Sequence, residues 1–94
     1  MQDVTVLFAP GVDAALVELI DHVDSDSIPT VLNFLERIHA RLVQTLCAFP
    51  EAGPVFQGAV RIFPVEGYVF LYEHRPAEGE IHVLDMIAPG RNWR

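Results

Sequence analysis

Apolar positions along this chain change period once, and that change divides a helical half from an extended half. Residues 3–8, DVTVLF, form a short β-branched and aromatic run that stops at Ala9-Pro10-Gly11, which predicts a strand and then a breaker. From Val12 to Val23 the residues Val12, Ala15, Leu16, Leu19, Ile20 and Val23 recur at helical spacing. Asp13, Glu18, Asp21 and His22 fall on remaining positions. The polar cluster Asp24-Ser25-Asp26-Ser27 interrupts the pattern. Pro29 then suits the first turn of a second helix, with Ser27 or Ile28 near its cap. The second stripe is Val31, Leu35, Ile38, Leu42, Leu46 and Phe49, and Pro50 ends it because the residue before a proline avoids helical geometry. With so short a connection, the two helices are expected to pack antiparallel.

From Gly53 onward the period falls to two. Three runs, VFQGAVRIF, YVFLYEH and IHVLDMI, are separated by Pro64-Val65-Glu66-Gly67 and by Arg75-Pro76-Ala77-Glu78-Gly79, turn clusters of hairpin length. Alternation in the middle run puts Tyr68, Phe70, Tyr72 and His74 on one face and Val69, Leu71 and Glu73 on the other. Both faces begin apolar. That pattern fits a central strand covered by helices on one side and by loops of the chain, or by a partner, on the other. The expected fold is α+β: two layers in the order β-α-α-β-β-β, an antiparallel sheet covered by a helical hairpin, one domain over residues 1–94.

Charge narrows the function classes. Six arginines and no lysine face thirteen carboxylates, for a net charge of −7. A chain that grips phosphates broadly carries a basic footprint, so direct nucleic-acid binding is disfavoured, although Arg61, Arg91 and Arg94 form a local set of cations. No apolar run reaches the roughly 20 residues of a membrane-spanning helix, and Asp3 stands where a secretory signal would be basic, so a cytoplasmic location is the default expectation. The single cysteine, Cys47, beside Leu46 and Phe49, is expected to be a buried and inert thiol.

Candidate chemistry is sparse. His22 and His39 lie on different helices, no His-x-x-x-His or Cys-x-x-Cys spacing occurs, and His74 and His82 facing each other across the last hairpin would lack a third ligand, so neither metal nor cofactor is expected. The glycines are dispersed at turns and build no phosphate cradle. Metal-free ribonuclease chemistry needs a base, an acid and a cation, roles for which Arg61, Tyr72, His74, Arg91 and Arg94 have the right side-chain types.

Phe49-Pro50-Glu51-Ala52-Gly53, Arg61, Gly67-Tyr68-Val69-Phe70-Leu71-Tyr72, Ile81-His82-Val83-Leu84-Asp85-Met86-Ile87 and Gly90-Arg91-Asn92-Trp93, in that order and spacing, resemble the ParE/RelE superfamily of toxins from bacterial type II toxin-antitoxin systems. The resemblance extends to the first strand and to Ile28-Pro29, and so to nearly the whole chain. It implies a small cytoplasmic toxin, of the kind that stabilises plasmids, neutralised by a cognate antitoxin that wraps the helical hairpin and sheet. Leu16, Leu19, Leu35, Tyr68, Phe70 and Tyr72 are then the antitoxin-binding candidates. The terminal Arg91-Asn92-Trp93 looks like the ParE branch, which inhibits DNA gyrase by protein-protein contact, and makes Arg61, Arg91, Trp93 and Arg94 the target-binding candidates. The RelE branch cleaves ribosome-bound mRNA, and Arg61, Tyr72 and Arg91 would be its catalytic residues here. Asp85 stands where an arginine is common and Ala88 where a histidine is common, departures that weigh against mRNA cleavage. They leave a third alternative, a non-toxic degenerate module that only binds its antitoxin.

Overall fold

In the computed structural model, which describes residues 4–89, a helical layer lies on a five-stranded sheet. Strand β1 (Thr5–Phe8) leads through Ala9 into helix α1 (Pro10–Asp21), whose Pro10 sits in the first turn, where a missing N–H costs nothing. A short 3-10 turn, Ser25–Ser27, connects it to α2 (Ile28–Ala48), with Pro29 again in the first turn. Phe49 closes α2, its N–H donating to the Thr45 carbonyl at 2.8 Å. Strands β2 (Val55–Gln57), β3 (Val60–Val65), β4 (Tyr68–Arg75) and β5 (Glu80–Ile87) complete the chain. No described helix is long and apolar enough to cross a membrane.

The two-layer α+β architecture is as the periodicity predicts, and its strand pairing departs from expectation in two places. The run VFQGAVRIF is not one strand: Gly58 takes a φ of 58°, and the chain folds back there to make β2 and β3 an antiparallel hairpin. The sheet is also mixed, because β1 pairs parallel to β5, giving the order β1-β5-β4-β3-β2. The other pairs are antiparallel. Between β3 and β4 the turn is two residues long, with Glu66 at φ 49° and Gly67 at φ 88°, the left-handed pair that matches strand twist. Pro64 is accommodated inside β3 because β2 pairs only with Val60 and Arg61, so the outer side of β3 is open at that point.

Pairing puts Arg61, Phe63 and Val65 of β3, Tyr68, Phe70, Tyr72 and His74 of β4, and Ile81, Val83 and Met86 of β5 on the helix-facing side. The buried core follows from that: Val65, Tyr68, Phe70, Tyr72, Ile81, Val83 and Met86 meet Val12 of α1 and Ile38, Leu42 and Leu46 of α2. The α2 stripe is buried in its middle and exposed at its end, Phe49 keeping 67% of its surface in water. Cys47 is exposed, contrary to expectation, because one step beyond Leu46 turns the side chain about 100° around the helix, off the core stripe. His74 and His82 do not face each other: His74 pairs with Ile81 and His82 with Glu73, which places the two imidazoles on opposite sides of the sheet.

Tyr72 has no exposed surface, and its hydroxyl accepts the Gly53 N–H at 3.0 Å. Burial pushes its phenol above the usual tyrosine range, with the Gly53 hydrogen bond and Arg61 pulling the other way. The protonated form is thus favoured by folding, and the stability it contributes is complete below the ordinary pKa of 10.0 and lost as pH rises through the higher folded value. Tyr72→Phe should cost about 1–3 kcal/mol, because the Gly53 N–H loses its partner. The same variant should flatten the decline in stability above pH 10.0, as read by urea melts across that range.

Candidate protein-binding groove and loop cluster

α1 makes its close contacts with β1 and β5, whereas α2 reaches β1 and β3. The two helices therefore flank a groove rather than interlocking along their length. The groove holds about 470 Å³, is walled by Leu16 and Ile20 of α1 and by Leu32 and Leu35 of α2, and is floored by Phe70 and Met86. Leu32 is 46% exposed, an unusual state for a leucine facing a neighbouring helix. Asp13 and Glu36 stand among its lining residues with His39, whose ring lies 4.8 Å from that of Phe8. An apolar trough with carboxylates at its margin suits an amphipathic helix that carries cations beside its apolar ridge.

Of the residues expected to bind a partner, the structure brings Leu16, Leu35 and Phe70 together in this groove. Leu19 turns into a separate hollow of about 770 Å³ between α1 and the end of β5, lined also by Ala14, Glu18 and Ile87. Tyr68 and Tyr72 are core residues, Tyr68 with its ring 5.8 Å from that of Phe34.

A second assembly surrounds the loop after α2. The Arg61 Nη1 donates to the Gly53 carbonyl at 2.8 Å and to the Glu51 carbonyl at 3.4 Å, and its Nη2 stands 3.6 Å from the Glu51 carboxylate. The other oxygen of that carboxylate lies 3.2 Å from Nδ1 of His74. Ile62 donates to the Pro54 carbonyl, so backbone and side chains both fasten residues 51–54 to the sheet. Arg61 and Tyr72 are thus engaged with the protein's own loop. Glu51 is 60% exposed, which limits what its ion pairs contribute to stability, yet an imidazole, a carboxylate and a guanidinium converge here. Proton transfer is within the means of that trio. His74 and Arg61 stand among the residue types named for acid-base chemistry, whereas Glu51 does not, and the signal for it is the Pro50-Glu51-Ala52-Gly53 sequence lying a short loop ahead of Arg61. Arg91, Trp93 and Arg94 lie outside the described residues.

On the sheet face away from the helices, register places Val60, Ile62 and Pro64 beside Val69 and Leu71, followed by Glu73, Arg75, Glu80 and His82, while past the irregularity in β4–β5 pairing Asp85 and Ile87 line the hollow against α1. Arg75 is the only arginine or lysine among these, and its Nε donates to Glu73 at 2.7 Å. This face is apolar at one end and acidic at the other.

No protein-family model matches the chain, and no curated protein is similar to it. Among solved structures it is similar to the isolated E. coli RelE toxin, with a TM-score of 0.60 at 15% identity over 95% of this chain and 87% of that one. The likeness establishes a RelE-like fold.

A Cβ added at Gly53 would stand 1.9 Å from the Ile62 carbonyl oxygen, a backbone atom that cannot step aside. Gly53→Ala should therefore destabilise the protein by about 3 kcal/mol or more in chemical denaturation, whereas Gly58→Ala, which meets nothing, should pay only for its positive φ, about 1 kcal/mol.

Proposed function

We propose that this chain is the toxin of a type II toxin-antitoxin pair, of the ParE kind, which acts on DNA gyrase by protein-protein contact and is silenced by an antitoxin helix seated between α1 and α2. The toxin assignment rests on the RelE-like fold together with the resemblance of its sequence motifs. The mode of action rests on one observation: the helix-free sheet face presents apolar side chains and carboxylates, with its sole described arginine already paired. A phosphodiester backbone needs unspent cations, and a transition state gaining negative charge needs them closer still. An apolar and acidic surface suits another protein.

The endoribonuclease reading keeps one supporting observation, the meeting of Glu51, His74 and Arg61. Their side chains would serve as base, acid and phosphate-stabilising cation in place of the set Arg61, Tyr72 and Arg91.

The separating experiment is supercoiling by purified gyrase. The chain should inhibit it, and the antitoxin should restore it. Uninhibited gyrase at high excess of the chain, with ribosome-bound mRNA cut after induction, would replace the first reading with the second. In the groove, Leu16→Asp and Leu35→Asp should each weaken antitoxin binding by roughly 30-fold or more while leaving the circular dichroism spectrum intact. Binding should also weaken as salt rises, because Asp13 and Glu36 call for a partner segment less acidic than usual.

A further inference from the structure

The tip of the β4–β5 hairpin gathers a donor set that neither the groove nor the loop cluster uses. Glu80 and His82 are two residues apart on β5 and so share the helix-free face, where His82 Nε2 lies 2.9 Å from Glu80 Oε1. The turn at 76–79 is closed by the Glu78 N–H donating to the Arg75 carbonyl and the Gly79 N–H to the Pro76 carbonyl, and it carries Glu78 back over the same face. One imidazole nitrogen and one oxygen from each of the two carboxylates then lie within 4.8 Å of one another.

We propose that Glu78, Glu80 and His82 bind a divalent transition-metal ion of the zinc type. In a tetrahedral site with metal–ligand distances of about 2.0–2.1 Å, donors sit roughly 3.4 Å apart. His82 and Glu80 are already closer than that, and Glu78, with a half-exposed side chain on a turn, needs only a rotamer change to close the triangle. An ion between Nε2 and Oε1 takes the place of the proton that the two atoms share. Two carboxylates cancel its charge, and the fourth position stays with water. An imidazole in the set selects against magnesium and calcium, which take oxygen donors.

The local field favours a cation. Glu73, Glu78 and Glu80 lie around the single guanidinium of Arg75, and the hydrogen bond it donates to Glu73, followed by the charges of all three, raises the Arg75 pKa. Arg75 is held at 2.7 Å by Glu73 but only at 3.9 Å by Glu78. Glu73 can therefore keep the guanidinium while Glu78 turns to a metal. The bound ion would tie the hairpin turn to the middle of β5, next to the point where β1 pairs with Glu80. This proposal is independent of the toxin reading.

The test is calorimetric titration of the full chain with zinc chloride, with calcium chloride in parallel. One zinc ion should bind per chain, and calcium should not compete. His82→Ala, Glu80→Gln and Glu78→Gln should each weaken zinc binding by about 10-fold or more. Glu78→Gln, on an exposed turn, guards against loss of folding in the other two. His22→Ala and His74→Ala should leave the affinity unchanged. Absence of zinc binding, affinity that survives His82→Ala, or calcium bound as tightly as zinc would each overturn the assignment.

Discussion

The backbone of Gly53 is the point at which the loop after α2 is pinned to the sheet. Its N–H is taken by the buried Tyr72 hydroxyl and its carbonyl by Arg61, so a loop leaving α2 is held from both sides by side chains of β3 and β4. Burial makes the first of these bonds costly to break, since neither partner has water to turn to. Glycine is required there by space, because the Ile62 carbonyl occupies the place of any side chain. What fixes the end of α2 also fixes where β2 begins, and with it the far edge of the sheet.

That arrangement redistributes the scarce positive charge. Arg61 and Arg75 are both on the sheet, and each is absorbed by neighbouring carboxylates or carbonyls. Among the described residues, both arginines of the sheet are thus spent on internal partners. A fold does not by itself carry an activity: the RelE-like scaffold is retained at 15% identity, and what it does depends on the side chains set upon it.

Much of the architecture was legible because local periodicity and burial agree. Val12, Ile38, Leu42 and Leu46 lie on helical stripes and in the core, and Tyr68, Phe70 and Tyr72 point inward together as alternation requires. What was not legible depends on contacts distant in sequence. Nothing in DVTVLF announces a parallel partner some 75 residues later, and the run VFQGAVRIF reads as one strand until the φ of Gly58 shows a turn within it. His74 and His82 were misjudged by a single step of register, enough to send one ring beneath the sheet and the other above it. The site was less legible than the fold. Leu16 and Leu35 lie on helical stripes readable in the sequence and line the groove, with Phe70 buried beneath them, whereas the contacts of Arg61 and Tyr72 emerged only once the Gly53 loop was seen against them.

Pro64 has one further effect. The two-residue turn at Glu66-Gly67 makes Val65 and Tyr68 the doubly bonded pair, so the nitrogen of Pro64 faces outward, along the part of β3 that β2 leaves bare. A strand from another molecule arriving there would find a donor missing and a ring in its path. That stretch of β3, left bare by β2, is thereby a poor template for edge-to-edge pairing.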